Sequence, residues 1–247
     1  MHWQAKVFQY CERGANPAFW AEPLNALSNG AFILAALASL IALLNQPRES
    51  RRTIHYVLIA IVFAIGVGSF LFHTVAERWS ILADVLPISL FMVVYLATAL
   101  SLFVAAGWLV TGVTTGLFVL TLWSSGAIAA WLGCSRGASG GACLNGSIGY
   151  LPALLALLLV GAVALARARP EGAKLLLAGA VFAVSLTLRT LDLALCEPTR
   201  MAAPLLGAGP HGTHFLWHLL NALTLYFLLR AAIDQRAAPG GAIKPAA

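Results

Sequence analysis

Seven stretches of this chain are apolar and long enough to cross a bilayer, and nothing else in the sequence constrains its fold as tightly. A crossing helix needs about 20 predominantly apolar residues. The stretches are Leu24–Leu44, Ile54–Phe72, Ile81–Val104, Trp108–Trp131, Ile148–Leu165, Lys174–Leu195 and His214–Ile233. Charged residues make up 10% of the chain and hydrophobic ones 60%, whereas a soluble domain carries about a quarter charged. The sequence therefore predicts an all-α, polytopic membrane protein: one seven-helix domain over residues 1–235 and a disordered tail over 236–247. The first twenty residues contain Lys6, Glu12 and Arg13 and no apolar core, so no cleavable signal is expected.

In such a protein a net charge of +6 speaks of topology rather than of nucleic acid. With seven spans the termini lie on opposite sides. Lys6, Arg13, Arg78, Arg136 and Arg200 fall on the N-terminal side. Arg48, Arg51, Arg52, Arg167, Arg169, Lys174, Arg230, Arg236 and Lys244 fall on the other. The positive-inside rule then places the N-terminus outside and the C-terminus in the cytoplasm. Cys11, Cys134, Cys143 and Cys196 all gather toward the N-terminal side, as disulfides in an oxidising compartment would. Cys134 and Cys143 bracket a glycine-rich loop and are placed to pair, which leaves Cys11 and Cys196 to clip the N-terminal segment to helix six. Four unpaired thiols are the other reading, and connectivity does not follow from sequence.

Ionisable groups at membrane depth are expensive and usually functional. Ser69-x3-His73, Asp84 and His214-x3-His218 stand at ends of spans two, three and seven, and the order of the spans brings all five to the outer end. Side chains four apart share a helix face. Three neutral imidazoles with an open fourth position form a catalytic zinc shell. Singly, each residue has a plainer role: an interfacial histidine, a serine bonded to its own helix, an aspartate favoured by a helix dipole. Arg189 and Asp192, three apart in span six, read as an internal ion pair. Trp3, Phe19, Trp20, Trp79 and Trp217 suit an interfacial belt, although Trp217 also neighbours His218 and could line a pocket. No G-x-x-x-x-G-K, G-x-S-x-G or H-E-x-x-H occurs, so nucleotide hydrolysis and the usual serine or zincin chemistry have no foothold.

GSFLFHTVAERWSILADVLP (Gly68–Pro87) and HFLWHLLNALTLY (His214–Tyr226) resemble the second-to-third helix region and the last helix of the alkaline ceramidase family. YCERGANPAFWAEPLNALSN (Tyr10–Asn29) and LDLALCE (Leu191–Glu197) resemble its N-terminal segment and sixth helix. The S-x3-H, D, H-x3-H set is shared with the wider superfamily that includes the progestin and adipoQ receptors. The resemblance implies zinc on His73, His214 and His218, with Ser69 and Asp84 as catalytic residues and a Cys11–Cys196 bridge. The eukaryotic members bind calcium through the N-terminal segment. Glu12 and Glu22 match that pattern, but Gln9 and Gly14 stand where an aspartate and an asparagine are expected. Calcium favours six to eight oxygen ligands, so the segment argues against a calcium requirement.

The expected activity is zinc-dependent hydrolysis of the amide bond of ceramide-like N-acyl lipids to a long-chain amine and a fatty acid. The implied partners are the bilayer and its lipid amides, with no nucleic acid. The alanine- and glycine-rich composition points to a bacterial inner membrane, with the site toward the periplasm. A receptor-like member of the superfamily without turnover is the alternative. A transporter would need polar residues through the midplane, and here they stay at one end.

Overall fold

The structure is a computed structural model, which describes residues 2–131, 143–202 and 209–235. The expected tail 236–247 and the Cys134–Cys143 pairing lie outside the described residues.

The chain is a helical bundle. Its elements are α1 (Pro23–Ser28), α2 (Gly30–Leu44), α3 (Thr53–Val75), α4 (Arg78–Leu102), α5 (Trp108–Trp131), α6 (Leu151–Ala166), α7 (Glu171–Leu191), α8 (Cys196–Ala202) and α9 (His214–Ile233). Among the described residues seven helices are long and apolar enough to span a membrane; α1 and α2 count as one, and the sixth element extends back to Leu144. Helix ends depart from the apolar stretches where polar groups cap them. α4 starts at Arg78, before its apolar run, because Glu77 and Ser80 form a capping box there. α7 ends at Leu191, and Asp192, which follows it, turns its carboxylate to other backbone groups.

α9 is the most enclosed span, packed against α2, α3 and α7, while α4 pairs with α3 and α6 with α7. α5 leans on α4 and buries only Phe118 and Ala129, leaving Trp108, Trp123 and Trp131 outward. That outward apolar surface is what a lipid environment accommodates. The bundle interior holds a continuous apolar cluster that includes Phe32, Leu58, Ile65, Phe91, Phe103 and Leu229.

Two glycines set the end of the bundle where the polar residues gather. A Cβ on Gly68 would collide with the backbone carbonyl of Ala83, so its bare backbone permits the close α3–α4 crossing. Gly212 adopts a φ of +60° just before α9, a conformation glycine enters freely.

The N-terminal segment lies across this same end as a strap. Val7 N–H donates to the Ala76 carbonyl at 2.9 Å and Arg78 N–H to Ala5 at 3.2 Å. A Cys11–Cys196 disulfide ties the strap to the start of α8. Asp192 pins both sides of the gap. One carboxylate oxygen accepts the N–H of Cys11 at 2.9 Å, and the other those of Thr213 at 2.8 Å and His214 at 2.9 Å. Asp192 thus caps α9 from a neighbouring helix, where an acidic group is favoured.

Candidate metal and catalytic site

His73 comes from the last turn of α3, and His214 and His218 from the first two turns of α9. All three are at most 2% exposed. One ligand nitrogen from each lies within 4.8 Å of those of the others. The ring orientations follow from polar neighbours. His73 Nδ1 lies 2.6 Å from the Glu22 carboxylate, which can only accept, so Nδ1 carries the hydrogen. Its Nε2 is buried without a partner. His218 Nδ1 lies 2.7 Å from the Ser28 hydroxyl, which donates to the Asn25 carbonyl at 3.0 Å. That hydroxyl therefore accepts from Nδ1–H, leaving the Nε2 lone pair free. His214 is stacked on Tyr10, with ring centroids 3.7 Å apart, and its Nδ1 has no partner. Unsatisfied ring nitrogens converging in a buried place are costly. Three converging imidazoles, two of them oriented by a hydrogen bond on the outer nitrogen, are the donor set a zinc-type ion takes.

Ser69 lies one helical turn before His73, and α4 brings Asp84 alongside it across the Gly68 crossing. One Asp84 oxygen has no partner. Ser69, Asp84, His214 and His218 line a cavity of about 280 Å³ together with Tyr10, Trp217 and Arg189. It shares Ile88, Met92 and Tyr150 with a second, smaller and apolar cavity of about 80 Å³ lined by residues of α3, α4, α5, α6, α7 and α9. The five residues singled out from the sequence thus come together at one end of the bundle, with His55 at the opposite end of α3.

Several sequence expectations need correcting. Arg189 and Asp192 do not form the expected pair. Asp192 serves the three backbone amides above, and Arg189 donates to the Asn145 carbonyl and the Ser147 hydroxyl. A one-turn spacing permits such a pair without enforcing it, and here α7 ends between them. Trp217 is 3% exposed and lines the cavity rather than an interfacial belt.

Glu12 and Glu22 are both engaged by protein groups. Glu12 accepts the N–H groups of Leu24 and Asn25 at 2.7 and 2.8 Å, at the start of α1. Glu22 takes His73 on one oxygen and the Arg13 guanidinium on the other. Arg13, 2% exposed, also donates to the carbonyls of Asn16, Ala18 and His73 at 3.2, 2.8 and 2.9 Å. Burial pushes the Glu22 carboxyl upward, but the hydrogen bonds and charges of His73 and Arg13 outweigh it and hold it below the usual carboxylate range.

Sequence reasoning missed Tyr10, Ser28 and the structural part of Arg13. The Y-C-E-R run beside a bridging cysteine is a signal for the strap as a whole, but no spacing rule links residue 28 to residue 218.

Fold and site define an integral membrane protein with a buried imidazole triad beside a polar cavity that adjoins an apolar one. Residues 7–238 match the model of the ceramidase family, nearly the whole chain, and the chain belongs to that family. Membership implies a hydrolase acting on the amide of a lipid. No curated protein matches the sequence significantly.

Proposed function

We propose that the protein is a zinc-dependent intramembrane amidase that cleaves ceramide-like N-acyl lipids to a long-chain amine and a fatty acid. The observation that carries this reading is the convergence of His73, His214 and His218 beside Asp84 and Ser69, on a cavity that adjoins an apolar one. Zinc held by the three imidazoles would polarise the carbonyl and make water acidic near neutral pH. The acyl chain occupies the apolar cavity, which leaves the amide at the polar end. Asp84 takes a proton from the attacking water and delivers it to the departing amine as the C–N bond breaks and the new C–O bond forms. Ser69 donates a hydrogen bond to the carbonyl oxygen as charge builds on it, a contribution of roughly 3 kcal/mol. Arg13 already supplies a positive charge among the strap's carbonyls and Glu22, so the same reading includes no calcium requirement.

Metal analysis joined to hydrolysis of a panel of N-acyl sphingoid bases tests the proposal, with wild type beside His218→Ala in detergent. About one zinc per chain is expected in the wild type, with fatty acid released by it alone. Zinc without release from any N-acyl lipid, or release that survives His218→Ala, would sink the proposal.

A further inference from the structure

Arg189 ends in the polar cavity with Asp84, His214 and His218, and the reaction outlined above gives it no task. It is 9% exposed, and a cation inside a membrane-embedded bundle is costly unless compensated. Its hydrogen-bond partners are all neutral. One terminal nitrogen donates to the Asn145 carbonyl at 2.5 Å and the Ser147 hydroxyl at 3.1 Å, the other to the Tyr10 hydroxyl at 3.4 Å. The rings of Tyr150 and Trp217 flank it at 5.3 and 5.7 Å, a favourable but partial compensation. Among the described residues, which include all nine aspartates and glutamates of the chain, none forms an ion pair with it. Asp192 is committed to backbone amides. Asp84, on the same cavity, attracts it through space but makes no ion pair with it.

The side chain is nevertheless held firmly. A left-handed turn at Leu144, Asn145 and Gly146 aims the Asn145 carbonyl at it, and the Asn145 side chain donates back to the Arg189 carbonyl at 3.0 Å. Three hydrogen bonds engage a guanidinium that has five N–H donors. A fixed, desolvated guanidinium with donors to spare is suited to a two-pronged grip on an oxyanion. It also stands close to the imidazoles, since Tyr10 touches Arg189 with its hydroxyl and His214 with its ring.

We propose that Arg189 anchors an acidic group on the substrate: a carboxylate, sulfonate or phosphate on the amine side of the scissile amide. The placement decides the side. The apolar cavity receives the acyl chain, and Arg189 sits at the polar end where the rest of the molecule must lie. The anion completes the ion pair that the fold leaves open and sets the head group relative to the amide. The favoured substrates are then acidic N-acyl lipids, with neutral ceramides weaker ones. This rests on the amidase reading above.

The test compares N-lauroylglycine with its methyl ester, which share acyl chain and amide and differ by one charge. Wild type is expected to favour the acid by about tenfold or more in kcat/KM, the worth of one charge-assisted hydrogen-bond pair, with the difference in KM. In Arg189→Gln the acid-to-ester ratio should collapse toward one, Arg189→Lys should keep part of it, and Arg230→Gln, at the far end of α9, should keep all of it. Equal handling of acid and ester by wild type overturns the proposal, as does a loss in Arg189→Gln that is the same for both. Ligand-induced shifts in Tm, read in the wild type with and without a chelator, separate binding from turnover. A larger shift with the acid than with the ester, without hydrolysis of either, supports the anion anchor while removing the amidase reading. Hydrolysis of both with no difference in shift or rate does the reverse.

Discussion

Asp84 shares its wall of the cavity with Ser69, and one of its oxygens faces no protein donor, which leaves that oxygen free for the proposed role of general base. Asp84→Asn keeps the shape and removes the base. It should cost about 10²- to 10⁴-fold in kcat with zinc content unchanged; turnover within a few-fold of wild type would remove Asp84 from the reaction. Arg13 acts through two intermediaries, since its guanidinium holds Glu22 and Glu22 holds His73 Nδ1. Loss of an outer-shell partner typically weakens metal binding by about 10- to 100-fold. Arg13→Met should show that loss in a zinc titration, with Arg13→Lys recovering part of it and added calcium changing neither. Metal affinity equal to wild type in Arg13→Met would show that His73 is oriented without this chain of contacts. The convergence of Ser69, His73, Asp84, His214 and His218 at one end of the bundle was legible in the sequence because each is an anomaly within an apolar span. Their supports were not: Tyr10, Ser28 and Arg13 lie in or near a polar segment where such residues are ordinary, and only the folded strap brings them to the imidazoles.

At the scale of elements, the site depends on how closely α3 and α4 cross. Gly68 lies directly before Ser69, and its missing side chain lets the Ala83 carbonyl approach. Gly68→Ala must push the helices apart at the point where Ser69 and Asp84 meet. Overpacking of this kind costs about 1–3 kcal/mol, and separation of the two side chains should lower kcat further than Tm alone explains. The measurement is a Tm in detergent beside a zinc titration and a rate. Unchanged Tm and rate together would mean the crossing has slack. The strap shows what periodicity cannot deliver. The long apolar runs identify the spans and bracket their lengths, because a bilayer demands about 20 apolar residues. The break between α1 and α2 at Asn29 leaves no mark in hydropathy. The pairing of Arg189 and Asp192 failed for a related reason: spacing on one helix says nothing of carbonyls and amides arriving from Asn145, Cys11 and Thr213.

For the whole molecule, one end of the bundle carries the strap, the Cys11–Cys196 bridge, the imidazoles and the mouth of the polar cavity. We propose that this end faces away from the cytoplasm, on two independent physical arguments. A disulfide persists where the compartment is oxidising, and lysines and arginines concentrate at loops that remain in the cytoplasm. The opposite end is the one with Arg48, Arg51, Arg52, Arg167 and Arg169, and Arg51 there also donates to the carbonyls of Gln46 and Leu44 at 2.9 and 2.8 Å. The orientation has a chemical consequence. On that proposal, the amine and fatty acid of the proposed reaction would be released at the outer leaflet, and the reaction would draw on lipids of that leaflet. Fusions at the C-terminus test it in a bacterial host. A fluorescent protein that matures only in the cytoplasm should light up there, while an alkaline phosphatase that needs an oxidising compartment should stay inactive. Moving the fusion point to the loop between α5 and α6 should reverse both signals. An active phosphatase at the C-terminus would invert the protein in the membrane, and the Cys11–Cys196 bridge would then have to survive against a reducing compartment.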